Sequence, residues 1–126
     1  MSGIYIYRGE IEPDMFKDVK AMLVLGDKAH ALAIANTKRF CLGEAKKMFE
    51  QLKRWVSTGS FGSILISGFS KAMEESCAPH IIEWLSDHSS EPGFPTLVLI
   101  DDDDIGKIAS IGKVVNQGEI GKILSK

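Results

Sequence analysis

Gly62-Ser63-Ile64-Leu65-Ile66-Ser67-Gly68 decides the fold of this chain. The stretch between the two glycines has the length of a strand, and its apolar residues run consecutively rather than alternating with polar ones. That pattern belongs to a central strand buried on both faces, as in a parallel sheet covered by helices. Immediately upstream, Phe40 to Val56 carries the strongest helical signal of the chain. Ala45, Met48, Phe49, Leu52, Trp55 and Val56 recur at spacings of three and four, with Lys46, Lys47, Glu50 and Lys53 between them, so one face of this helix is apolar and packs on a sheet. Ser57-Thr58-Gly59-Ser60 supplies the stop.

Downstream of Gly68 a second helix is expected, with Ser70 able to cap it and Glu74 and Glu75 near its positive end. Pro79 removes a backbone donor and clashes with the preceding turn, so Pro79 to His88 reads as a segment that restarts after a kink. Ser89 to Pro95 is a loop, and Thr96 to Ile100 is a second buried strand running into Asp101-Asp102-Asp103-Asp104. Beyond it, Ile105, Ile108, Gly112 and Val115 fit a helix, whereas Lys107 to Val114 fits a strand hairpinned back on its predecessor. Gln117 to Leu124 closes as a short helix.

Towards the N-terminus, Gly3 to Arg8 is a strand in which Tyr5 and Tyr7 face one way and Ile4 and Ile6 the other. Pro13 suits the first position of a short helix that carries the apolar stripe Met15, Phe16 and Val19. Ala21 to Leu25 and Ala29 to Ala35 flank the turn-forming Gly26-Asp27-Lys28 and read as a β-hairpin, although the alanine-rich second run also suits a helix. Strands alternating with helices imply a sheet covered on both faces. The fold class is therefore α/β: a three-layer α/β/α sandwich with a mainly parallel or mixed sheet, Rossmann-like or thioredoxin-like.

A chain of 126 residues is large enough for one core and too small for two, so residues 1–126 form a single domain. The longest apolar stretches fall far short of the roughly 20 residues that span a bilayer. The N-terminal segment also lacks the basic, apolar and cleavage regions of a secretory signal. The expectation is a cytoplasmic protein with no membrane partner. A net charge of −2, with 15 basic residues spread along the chain, argues against nucleic acid as an obligate partner. Cys41 and Cys77 lie far apart in sequence and are read as free thiols.

The acidic run is the most informative chemical feature, because open α/β sheets bind ligands beyond the C-terminal ends of their strands. Asp101 and Asp103 fall on the same side if the strand continues, and two carboxylates with water or phosphate oxygens suffice for magnesium. Asp101-x-Asp103-x-x-Gly106 resembles, over about ten residues, the acidic motif of Toprim domains, found in topoisomerases and primases. The resemblance implies magnesium-dependent chemistry on nucleic acid or phosphoryl groups, with a glutamate after the first strand. Glu10 is the residue in that place, followed by Ile11 where the family has glycine. If Met22 to Leu25 were the first core strand, the matching position would be Leu25, which binds no metal. The competing reading is a solvated turn whose repulsions are relieved by exposure.

Phe94-Pro95-Thr96-Leu97-Val98-Leu99-Ile100, a turn, Lys107 to Ile111 and a last helix also resemble the C-terminal half of thioredoxin-like domains. Without a C-x-x-C pair, such a domain is a redox-inactive binding version. Cys77, His80, His88 and Cys41 suggest zinc, but on one helix the histidines stand about 12 Å apart along the axis, too far to share an ion. Neither cysteine sits in a glycine-flanked nucleophile elbow, and Ser67-Gly68 reads as a β-to-α turn. Gly59-Ser60-Phe61-Gly62 precedes a strand and lacks the lysine of a phosphate loop. Trp55 and Trp84 are assigned to the helix–sheet core. The preferred function is a small non-catalytic domain acting through protein–protein binding or self-association, without a cofactor. The alternative is a magnesium-dependent enzyme using Asp101, Asp103 and Glu10, with the redox-inactive thioredoxin-like module as a third reading.

Overall fold

The computed structural model describes residues 3–7, 13–26, 38–100 and 112–124. Among these residues six strands form one sheet: β1 (Ile4–Tyr7), β2 (Ala21–Leu25), β3 (Lys38–Leu42), β4 (Ser63–Ser67), β5 (Thr96–Ile100) and β6 (Lys113–Val115). Their spatial order is β3-β2-β4-β5-β1-β6, and every pairing is parallel. The helices are α1 (Ala45–Thr58), α2 (Phe69–Ala72), α3 (Ala78–His88) and α4 (Gln117–Leu124), with a 3₁₀ turn at Pro13–Phe16.

Strand alternation sorts the interior into two cores. Ile4, Ile6, Leu23, Leu25, Ile64, Ile66, Leu97 and Leu99 face α1, α2 and α3. Tyr7, Met22, Val24, Leu65, Val98 and Ile100 face the other way, towards Phe16, Val19 and Ile120. Helical elements cover both faces, which is the three-layer α/β arrangement expected from consecutive apolar strands. Between β2 and β4 the winding reverses: β3 follows β2 on one side, and β5 follows β4 on the other. This is the doubly wound order, and it puts the switch point at the C-terminal ends of β2 and β4.

Several boundaries differ from the sequence reading. The helix expected from Phe40 begins at Ala45, because Phe40 to Leu42 belong to β3, and Gly43 and an extended Glu44 separate strand from helix. Ala21–Leu25 does not pair in a hairpin: β3 and β4 occupy its two edges, both parallel, while residues 29–35 lie outside the described residues. Residues 113–115 pair with β1 in parallel instead of folding back on β5, whose edges belong to β4 and β1. The Lys107 to Ile111 segment of the thioredoxin-like resemblance lies outside the described residues.

Local chemistry explains the helix ends. Gly59 adopts a left-handed conformation (φ 61°), and the Gly59 and Ser60 amides donate to the carbonyls of Val56 and Trp55, closing α1 with a glycine cap. Pro79 sits within the first turn of α3, where its missing N–H costs nothing, so the restart is a clean helix start. Asn116 caps α4: its Oδ1 accepts from the Glu119 amide at 3.0 Å, and Glu119 Oε1 accepts from the Asn116 amide at 3.5 Å, a reciprocal capping box. Ser70 does not cap α2. Gly68, at φ 87°, turns the chain directly from β4 into the helix and leaves Ser70 inside its first turn. Glu75 instead serves α1, its Oε2 accepting from the Ala45 amide at 3.2 Å.

Candidate functional site

Two places on this fold have the makings of a site. The first is the C-terminal edge of the sheet. Val24, Ser67, Ile100 and Tyr7 are successive register partners across β2, β4, β5 and β1, and by alternation they point to the same face. The three flanking side chains pack in the core, whereas Ser67 Oγ is fully buried and has no hydrogen-bond partner among the described residues. A buried hydroxyl left unsatisfied costs about 1–3 kcal/mol. Ser67→Ala is therefore expected to raise stability by about 1 kcal/mol, read as a higher urea midpoint at unchanged slope.

Asp101, Asp103 and Glu10 lie outside the described residues, as do residues 101–111 generally. Their nearest described neighbours are informative nonetheless. Tyr7 and Ile100 pair with each other on adjacent parallel strands, so Glu10 follows one member of a register pair by three residues, and Asp101 and Asp103 follow the other by one and three. Leu25, the matching position of the other alternative, ends β2, and β4 lies between β2 and β5.

At the switch point itself the backbones are in close contact. A Cβ on Gly68 would lie 2.6 Å from the Leu25 carbonyl oxygen. The neighbouring Gly26, at φ 86°, has among the described residues the Lys71 ammonium close to where its Cβ would be, at 3.3 Å, and its amide donates to Leu42 O at 3.1 Å. A concavity of about 380 Å³ opens at the opposite edge, among Asp18, Lys20, Ser63 and Thr96. Those residues precede or begin β2, β4 and β5, the edge that α/β sheets rarely use for ligands.

The second place is the groove between α1 and α3. Phe49 and Trp84 meet edge to face at 5.5 Å, and Trp84 also contacts His88 at 5.2 Å and Phe94 at 5.8 Å. Trp55 behaves as the sequence suggests, 5% exposed and packed between Phe40 and Phe61. Trp84 does not: it is only half-buried, and its open side lines a groove of about 360 Å³ with Lys53, Val56 and Phe94. Lys53 lies over the Phe49 ring, 4.5 Å from its centre. Glu83 and Asp87 are exposed along the α3 wall, beside Lys53. Among the described residues neither forms an ion pair.

The zinc reading gains nothing from the fold. Cys77, half-buried, occupies the N-cap position of α3, His80 is exposed, and His88 Nδ1 pairs with Glu91. Among the described residues no three metal-binding side chains converge, and Cys41 belongs to β3 rather than to the neighbourhood of α3 in the chain. Sequence reasoning misses the groove because the spacing of Trp84 marks it as core. The signal that could find it is the recurrence of Glu83, Asp87 and Glu91 at intervals of four, beside an aromatic on the same helix.

Fold and surface thus define a doubly wound α/β domain with a half-buried aromatic groove on one helical face. Comparison with models of known families, with characterised proteins and with solved structures finds no match. No helix among the described residues is long and apolar enough to cross a membrane.

Proposed function

We propose that this chain is a small non-catalytic α/β domain that works in the cytoplasm by binding protein through the groove between α1 and α3. One observation carries the reading: Phe49, Val56 and Trp84 remain half-buried along two adjoining concavities between α1 and α3 that share Lys53 and Trp84, and Glu83 and Asp87, which line the one with Phe49, have no ion-pair partner among the described residues. Aromatic anchors at the centre of a patch with a polar rim are the composition of protein interfaces, where a few such side chains supply most of the binding energy. Of the polar groups that line the groove, Ser57 Oγ donates to the Arg54 carbonyl and His88 Nδ1 pairs with Glu91. Recognition is the chemistry this lining supports.

The test compares wild type with Glu83→Lys/Asp87→Lys, and with Lys20→Glu at the far edge of the sheet as control. A protein captured by wild type is purified and titrated against all three. The expected result is saturable binding that weakens by about tenfold or more in the groove variant and is unchanged in the control. Equal binding by all three overturns the reading.

A second reading is favoured by the Tyr7 and Ile100 register pair: a magnesium-dependent phosphoryl-transfer or nucleic-acid enzyme. Asp101 and Asp103 would hold the ion and Glu10 would act as general base, since adjacent parallel strands lead to both segments. Magnesium would supply charge neutralisation for phosphate oxygens. NMR titration with magnesium and manganese decides it. Saturable shifts at Asp101, Asp103 and Glu10 that vanish in Asp101→Asn/Asp103→Asn support it, and no shifts at millimolar metal retire it.

A further inference from the structure

We infer that the partner seated on the α1/α3 groove is a second copy of this chain, related by a two-fold axis running along the groove. The inference rests on the reading of that groove as a protein-binding surface and names its occupant. The argument is one of charge and symmetry. The α1 wall presents Lys53, exposed and lining a concavity with Phe49 and Trp84. The α3 wall presents Glu83 and Asp87, one helical turn apart, exposed and lining the same concavity as Lys53.

A surface with a cationic wall, an apolar floor and an anionic wall is complementary to itself. Rotation by 180° about the groove places the α1 of one copy over the α3 of the other. Each Lys53 then faces the acidic pair of its partner, and the contact occurs twice, as an isologous interface requires. The half-buried rings of Phe49 and Trp84 form the centre that both copies cover. Both helices run the same way along parallel crossovers, so the rotation keeps the two walls in step along their length.

The test is sedimentation equilibrium of the full chain from about 5 to about 500 µM, on wild type, Lys53→Glu, Asp87→Lys and an equimolar mixture of the two variants. Wild type is expected to dimerise, more weakly at high salt, because exposed charge pairs are screened. Each variant alone puts like charges in both contacts and is expected to dissociate about tenfold more readily. In the mixture a Lys53→Glu copy meets an Asp87→Lys copy. One contact then carries the wild-type pair of charges and the other carries the same pair exchanged, so both are attractive and the mixture is expected to dimerise as wild type does. A variant that had merely lost its fold would not be rescued by mixing, and circular dichroism of each variant checks the fold directly.

A monomer throughout the concentration range overturns self-association. The binding role of the groove is judged separately by the titration of a captured protein against Glu83→Lys/Asp87→Lys. A wild-type dimer that neither single variant weakens also overturns the inference, because the copies then meet elsewhere. Rescue in the mixture confirms it.

Discussion

Gly68→Ala is expected to lose about 3 kcal/mol or more of folding free energy, one of the two largest effects among the substitutions considered. Two costs add at this position. The backbone is left-handed at φ 87°, a conformation that costs a non-glycine residue about 1 kcal/mol or more. The added methyl group would also sit 2.6 Å from the carbonyl oxygen of Leu25. That oxygen belongs to β2, the strand held on both edges by β3 and β4, so it cannot move aside without disturbing the middle of the sheet. Gly26→Ala is the internal comparison. Its φ is nearly the same, 86°, but among the described residues the close atom is the end of the flexible Lys71 side chain, so it should cost only about 1 kcal/mol. Urea denaturation of both variants separates the clash from the dihedral strain. Equal losses would show that the close approach of β2 and β4 does not constrain the turn.

The other large effect is expected from Phe16→Ala, at about 3–5 kcal/mol. Phe16 is fully buried, and its ring meets that of Tyr7 at 6.0 Å and nearly perpendicular. It ends a 3₁₀ turn of only four residues, too short to be stable by its own hydrogen bonds. The turn therefore holds its place through this side chain and Val19, which pack under α4 and on the sheet. Truncation leaves a cavity and at the same time detaches the anchor of the segment. Thermal unfolding should show the loss, and a loss below about 1 kcal/mol would mean that the turn is held by something other than its phenylalanine.

How much of this is legible in the sequence depends on the kind of signal. Ser63–Ser67 and Thr96–Ile100 are readable as buried strands, because consecutive aliphatic residues between glycines or prolines have few other uses. α1 is readable from its stripe and α4 from its end points. Pairing is not readable. Ala21–Leu25 next to Gly26 looks like one arm of a hairpin because local turn chemistry is visible in sequence, whereas its partners β3 and β4 are set by crossovers that leave no local trace. Trp84 shows the same limit on the surface. Its spacing marks it as apolar-face material, but only the neighbouring Phe49 and Lys53, from another helix, determine that it stays half open. Tyr7 and Ile100, which precede the acidic candidates Glu10, Asp101 and Asp103 in the chain, are register partners on β1 and β5, a pairing that no motif at one of the two segments could supply.

The place of β1 bears on how the chain comes together in time. Ile4 pairs with Leu97 and Tyr5 with Lys113, so the first strand of the chain lies between two strands that follow it by about ninety residues or more. β2, β3 and β4 find one another over much shorter separations, and β5 joins them through the α2 and α3 crossover. Until β1 arrives, β5 is a bare margin and β6 has nothing to pair with. Closing so long a loop costs entropy before any contact repays it, and such non-local pairings slow folding. On a ribosome, β1 must wait through synthesis of about a hundred further residues for both of its neighbours. Docking of that strand is thus the natural late event of assembly, and the uncapped side of β5 is the natural point of misassociation while it is pending.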